Sequence, residues 1–306
     1  MSRLAIFSIW LLIIASCNNP QISGRYISET DTNFSVDIRS ASAKINKDPK
    51  NAELYYFRGN AFFFEKRFKD AVTDLEWAIS LNNKQPIYHY KIAETYLSLD
   101  SAQPKKAKEH LEECLRLKSD FNEAKSLLAY LFLARQQYTE ADKLYKELQE
   151  DPAYREKAMV YRAIAAKEQK DTSAAINLLQ TVLKENSENY DATMQYTLLL
   201  MAKRDNQSLI WAKKAATMNE FSDEALYHYG LASQWNGSFK TAMELYERTL
   251  KLNPNHIMAR YNMAIIEFEF ENYQTANSHC DEILRMSPEY TKAITLKKEC
   301  LRKLTK

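Results

Sequence analysis

The amino-acid sequence predicts an all-α solenoid of stacked helix pairs, on three observations. Small residues recur at Gly59, Ala93, Ala129, Ala163, Thr197, Gly230 and Ala264, at intervals of 34, 36, 34, 34, 33 and 34 residues. A second series follows each of these by eleven to fourteen positions: Ala71, Ala107, Ala141, Ala175, Ser208, Ala242 and Ala276. Two series in step describe one helix pair copied seven times, because such a unit buries its apolar side only against its neighbours. The small residues mark the closest approach within a pair, since side chains at a contact set the distance between helix axes. Third, no proline falls inside a predicted helix. Pro49, Pro152, Pro254 and Pro288 sit at junctions, Pro86 opens a copy and Pro104 lies in a turn, all outside helix interiors where proline would clash and remove a hydrogen bond.

The elements follow in chain order. Residues 1–16 carry Arg3 and an apolar run, Leu4–Ile14, broken only by Ser8. At 1.5 Å per residue that run spans about 17 Å, short of a ~30 Å hydrocarbon core, so it reads as a secretory signal and not a membrane-spanning helix. Its end, Ile14-Ala15-Ser16-Cys17, resembles the bacterial lipoprotein signal. The resemblance implies cleavage before Cys17, which would then carry a thioether-linked diacylglycerol and an amide-linked acyl chain. Buried acyl chains contribute roughly 0.8 kcal/mol per CH₂, so two or three of them make a lasting anchor. The alternative is an ordinary cleaved signal and a soluble periplasmic product. Residues 17–33 are polar and aperiodic and read as a flexible tether, with a root-mean-square reach on the order of 20 Å.

Asn33–Lys47 shows a helical apolar pattern ending at Asp48-Pro49 and reads as the second helix of an incomplete first copy. The copies lie near 52–85, 86–121, 122–155, 156–189, 190–222, 223–256 and 257–290. The first carries Tyr55, Tyr56, Gly59-Asn60-Ala61, Phe62, Phe68, Ala71, Leu75 and Ala78. The second has two extra residues in its turn, Leu99–Pro104. The third keeps Ala129, Phe132, Tyr138, Ala141 and Tyr145; the fourth places Arg162 where an apolar residue is usual. In the fifth, Thr197 and Ser208 occupy the small positions and the turn reads one residue short. The sixth has Ala225, Tyr227, Gly230, Gly237, Phe239, Ala242, Tyr246 and Asn253-Pro254, and the seventh Ala259, Tyr261, Ala264, Tyr273, Ala276 and Pro288. Residues 291–306 continue the first-helix pattern through Ala293, Ile294, Leu296, Leu301 and Leu304, against a face of Lys292, Lys297, Lys298, Arg302, Lys303 and Lys306. They read as a cap whose polar face meets water, or as a basic patch for acidic lipid or a partner.

The period and its small and aromatic positions resemble the tetratricopeptide repeat over roughly residues 34–306. The resemblance implies a right-handed superhelix whose first helices line a concave wall. It maps three inward rows. One holds Tyr56, Tyr90, Ser126, Val160, Met194, Tyr227 and Tyr261. The next holds Asn60, Glu94, Tyr130, Ile164, Leu198, Leu231 and Ile265, and the third Phe63, Leu97, Leu133, Lys167, Met201, Gln234 and Phe268. These rows are more apolar than open surface, which marks an interaction site, although a first-row tyrosine partly buries against the next repeat in this family. The partner-binding residues expected are Tyr56, Asn60, Phe63, Tyr90, Tyr130, Met194, Tyr227, Leu231, Tyr261 and Phe268. The basic carboxylate clamp of the chaperone-binding members is absent: Tyr56 and Tyr90 stand at the first-row positions and Asn60 alone matches.

Composition narrows the function. The chain has 42 basic and 40 acidic residues, too balanced for a nucleic-acid footprint. Its five histidines are scattered, without His-Glu-x-x-His or Cys-x-x-Cys spacing, and four glycines build no phosphate loop. No metal site, cofactor or catalytic constellation is expected, so an enzyme or cofactor carrier would need ligands or a nucleophile–base pair that the sequence does not display. Cys114, Cys280 and Cys300 read as buried thiols; an oxidising periplasm would also allow a Cys280–Cys300 bridge. The leading expectation is a membrane-anchored adaptor or assembly scaffold in a Gram-negative cell envelope, facing the periplasm and holding a partner's peptide segment in its groove. A self-associating structural protein is the alternative.

Overall fold

The computed structural model describes residues 27–28 and 30–305. Sixteen helices run through them. A lone α1 (Val36–Lys47) precedes α2 (Ala52–Phe64) with α3 (Phe68–Leu81), then α4 (Pro86–Ser98) with α5 (Pro104–Leu117). There follow α6 (Asn122–Ala134) with α7 (Tyr138–Leu148), α8 (Arg155–Glu168) with α9 (Thr172–Glu185), and α10 (Tyr190–Ala202) with α11 (Ser208–Met218). Last come α12 (Asp223–Trp235) with α13 (Phe239–Leu252), α14 (Ile257–Glu269) with α15 (Tyr273–Met286), and α16 (Thr291–Leu304). The chain divides into two compact units, one ending at Ala124 and the other beginning at Lys125. No helix among the described residues is long and apolar enough to cross a membrane.

Local chemistry sets the helix ends. Ser35, Asn51, Asp171, Asn189 and Ser222 accept backbone N–H groups at the starts of α1, α2, α9, α10 and α12, satisfying donors that have no partner inside the helix. Pro86 and Pro104 take the first helical position, where their fixed φ suits the helix and their missing N–H costs nothing. Six of the seven turns within pairs share one backbone solution. Lys66, Gln136, Lys170, Arg204, Gly237 and Glu271 all have φ between 55° and 75°. In the first turn Lys66 N–H reaches Phe63 O and Arg67 N–H reaches Phe62 O, both at 2.9 Å, and the other five repeat this double closure, the Schellman arrangement. The seventh turn carries the two extra residues and closes through Gln103 N–H to Tyr96 O at 3.0 Å. In the fifth copy the shortening falls on the second helix: α11 starts at Ser208, which in other copies is the fourth helical position.

Both small-residue series are buried. A Cβ on Gly59 would stand 3.0 Å from Leu75 Cγ, and one on Gly230 would stand 2.7 Å from Tyr246 Cε1. The first unit also buries a charge pair that the sequence reading missed. Arg58 Nε and Nη2 donate to Asp74 Oδ2 and Oδ1, each at 2.7 Å, and Nη1 donates to Ser42 Oγ at 3.1 Å. This ties α1, α2 and α3 together. In the second unit Arg162 is satisfied by Asp142, at 2.8 Å, and by Gln149.

Two expectations are revised, and the reading of three buried thiols holds. Part of the stretch read as tether is packed: Ile27 is buried against Ile38, Phe62 and Ala71. On α16 the core is filled by Ala293, Leu296 and Cys300, while Leu301 and Leu304 are exposed. Cys280 and Cys300 are both free thiols, as is Cys114. Cys17 and the signal lie outside the described residues.

Candidate protein-binding site

In the first unit Tyr56, Phe63 and Tyr90 on α2 and α4 each pack against a different neighbour, and Asn60 lines a hollow beside α1. Tyr56 stacks on Tyr88 with centroids 5.0 Å apart, and burial pushes its phenol up. Phe63 meets Phe68 edge-on at 5.5 Å and carries the Lys91 ammonium 4.5 Å above its ring. Lys91 also pairs with Glu94 at 2.6 Å. Tyr90 lies against Phe121 at 5.3 Å. The Asn60 Oδ1 is buried without a hydrogen-bond partner.

In the second unit the expected rows divide. Tyr130 is half exposed and meets Tyr161 edge-on at 6.2 Å. Met194 and Tyr227 are 6% and 8% exposed, so they belong to the core and not to an open wall. Tyr227 is covered by Tyr246 and by His256, at 6.0 and 4.7 Å. Leu231 is partly buried in the same cluster. The physical reason recurs: the residue just before a first-type helix folds back over the first-row ring of its own copy. Phe121 covers Tyr90, His256 covers Tyr227 and Tyr290 covers Tyr261, the last at 5.8 Å.

Two hollows remain on the first-helix side of this unit. The larger, about 520 Å³, lies between α8 and α10 and is lined by Val160, Tyr161 and Ile164 with Glu156, Asp191 and Gln195. Its floor is backed by a second ring: Tyr161 stacks on Tyr145 at 5.1 Å with ring planes 10° apart. Its polar edge is ordered, because Glu156 Oε2 accepts from Asn186 Nδ2 at 2.9 Å and Asn189 Nδ2 at 2.7 Å. The second hollow, about 330 Å³, lies between α14 and α16 and holds Tyr261 and Phe268 with Lys292, Leu296 and Glu299. An apolar floor with a few fixed polar groups suits an apolar side chain presented by a peptide backbone.

Val160 and Ile164 stood in the mapped rows, but Tyr161 and the Glu156 clamp were missed. The clamp had a signal. An asparagine thirty residues after an acid in the first turn recurs as Asn253 Nδ2 to Asp223 Oδ2 at 2.7 Å. Elsewhere His89 Nδ1 faces His110 Nδ1 at 3.1 Å, and burial lowers the pKa of His110. Among the described residues no group of three or more His, Cys, Asp or Glu side chains could hold a metal ion.

The sequence matches two tetratricopeptide-repeat family models, over residues 52–85 and 157–189, and a model described as anaphase-promoting complex, cyclosome, subunit 3 over residues 201–283. A search of curated proteins gave no match. Solved structures similar in fold include the APC/C hetero-tetramer Cut9-Hcn1, at 15% identity and TM-score 0.63, covering 86% of this chain and 52% of that one. Yeast Tom70 matches at 16% identity and TM-score 0.60, covering 88% and 58%. PilW, described as a widely conserved type IV pilus biogenesis factor, matches at 18% identity and TM-score 0.58, covering 67% and 94%. The chain thus spans a little over half the length of the first two. The matched copies, the paired helices and these likenesses in fold agree: the protein is an all-α solenoid of tetratricopeptide repeats.

Proposed function

We propose that this protein is a lipid-anchored adaptor of a Gram-negative cell envelope that holds a segment of a partner protein on its first-helix side, facing the periplasm. The hollow between α8 and α10 carries the reading. It joins an apolar floor (Val160, Tyr161, Ile164) to a pre-ordered polar edge (Glu156 with its two asparagines), so a ligand meets a site whose ordering cost is already met. The anchor rests on Ile14-Ala15-Ser16-Cys17 at the end of an apolar run.

A photoreactive amino acid at Asp191 or Gln195 tests the groove in living cells. One discrete adduct is expected from each position, lost when Ile164 becomes Glu; absence of a discrete adduct from both positions refutes it. Labelled fatty acid tests the anchor. Incorporation is expected in the natural chain and not in Cys17→Ser, and an unlabelled natural chain refutes it.

A further inference from the structure

Within a unit, each first-type helix is covered by the pair before it. On α4 and α14 the third and tenth residues are then buried: Tyr88 and Thr95 are 5% and 0% exposed, and Ala259 and Ile266 are 0% and 3%. Their counterparts on α2, Leu54 and Ala61, are only half-buried. Phe57 and Phe64 on the same side of α2 are 52% and 72% exposed. With Asp37, Ser40 and Lys44 of α1 they line a hollow of about 400 Å³. The hollow has the place of a first-type helix, and α1 is a second-type helix with no such partner among the described residues.

Helix α16 has the opposite incompleteness. It packs on α15 and α14 as a first-type helix, and among the described residues nothing covers its far side, where Leu301 is 46% and Leu304 45% exposed. The 34-residue period assigns the meeting residues. Counted back from Ala71 it reaches Asp37, and counted on from Ala264 it reaches Lys298. These are the positions of closest approach within a pair, where a Cβ on Gly59 would stand 3.3 Å from the Ala71 carbonyl. At the two open faces an exposed acid and an exposed base replace the small pair. Neither makes an ion pair among the described residues.

We propose that α16 of one copy docks beside α1 and α2 of a second copy, antiparallel to α1, completing a helix pair between the two chains. Lys298 meets Asp37, and Leu301 and Leu304 leave water against the apolar wall. The axes stand farther apart than in an internal pair, because a lysine and an aspartate fill the contact. The interface is head-to-tail, so each added copy brings a new open slot and association grows with concentration unless the rotation closes a ring. The inference does not depend on the adaptor reading.

The test uses the full chain in mild detergent. Asp37→Cys and Lys298→Cys chains are prepared separately, mixed and oxidised. A reducible covalent dimer is expected in the mixture above the background of either chain alone; a mixture no different from the separate chains overturns the proposal. That result is also what a slot filled by residues upstream of Ile27, or by another protein's helix, would give. Sedimentation provides the second reading. Average mass should rise with concentration, and Asp37→Lys or Lys298→Asp should each weaken association by about tenfold or more through like-charge contact. Both reversals in one chain should restore most of it. Both positions are exposed, so unchanged circular dichroism checks the fold. One mass at every concentration, or association indifferent to either reversal, refutes the proposal.

Discussion

Replacing Asp74 by Ala should be among the costliest single changes in the first unit, and replacing the whole charge pair should cost little. Arg58 and Asp74 are 3% and 2% exposed and share two short hydrogen bonds. Bonds to charged groups contribute roughly 1.5–3 kcal/mol each, and arginine cannot shed its proton. Asp74→Ala therefore leaves a buried, uncompensated guanidinium, at a cost of about 3–5 kcal/mol. Burial also pushes the Asp74 carboxyl above the usual carboxylate range, against the opposing pull of Arg58. An acid so raised adds stability below its unfolded value and loses it as pH rises through its folded one, so burying the charged form is a burden that Arg58 only offsets. Arg58→Met with Asp74→Leu should accordingly fall within about 1.5 kcal/mol of the natural chain. Hydrogen exchange of amides in α1, α2 and α3 is the assay, because stability in a stacked repeat is a sum of local terms. A loss under about 1 kcal/mol for Asp74→Ala, or a double change as damaging as the single one, would refute the reasoning.

Other expectations follow from the same geometry. Gly230→Ala should cost about 1–3 kcal/mol, since its Cβ meets the Tyr246 ring; Gly237→Ala has open space but positive φ and should cost about 1–2 kcal/mol, both read by urea titration. Glu271→Gly, also at positive φ, should stabilise by up to about 1 kcal/mol in the same titration. Burial lowers the pKa of His110, His228 and His279, so their neutral forms favour folding above the unfolded value of about 6.5. That stability is lost as pH falls through their folded values, and urea midpoints should drop between pH 7.5 and 5. Burial raises Cys114 and Cys280 to about 11 and 12, so native chain at pH 8 should resist alkylation that urea-unfolded chain accepts within minutes; equal rates would contradict this.

The helix pairs were legible in sequence because closest approach demands small side chains, and Gly59, Ala71 and their counterparts are local in sequence and periodic. Junction rings were harder to read. Phe121, His256 and Tyr290 differ in type and lie far along the chain from the tyrosines they cover, so the first row looked open where Tyr227 is in fact core. The Arg58–Asp74 pair was hidden for a related reason: a charge at an apolar position declares its partner only when the second helix folds back against the first. Ile27 was lost in a polar stretch with no period. Leu301 and Leu304 fitted the helical pattern of α16, but a pattern gives the side on which a residue lies and not whether anything stands there.

The shared turn carries a consequence for how such a chain changes over time. Its closure uses only main-chain groups, and lysine, glutamine, arginine, glutamate and glycine all serve at its left-handed residue. A whole copy can therefore be duplicated, lost or exchanged in frame without a matching edit in the neighbouring turn. Innovation in such a lineage runs through copy number and through the outward side chains of single modules, while the hairpin that folds each module stays indifferent to both.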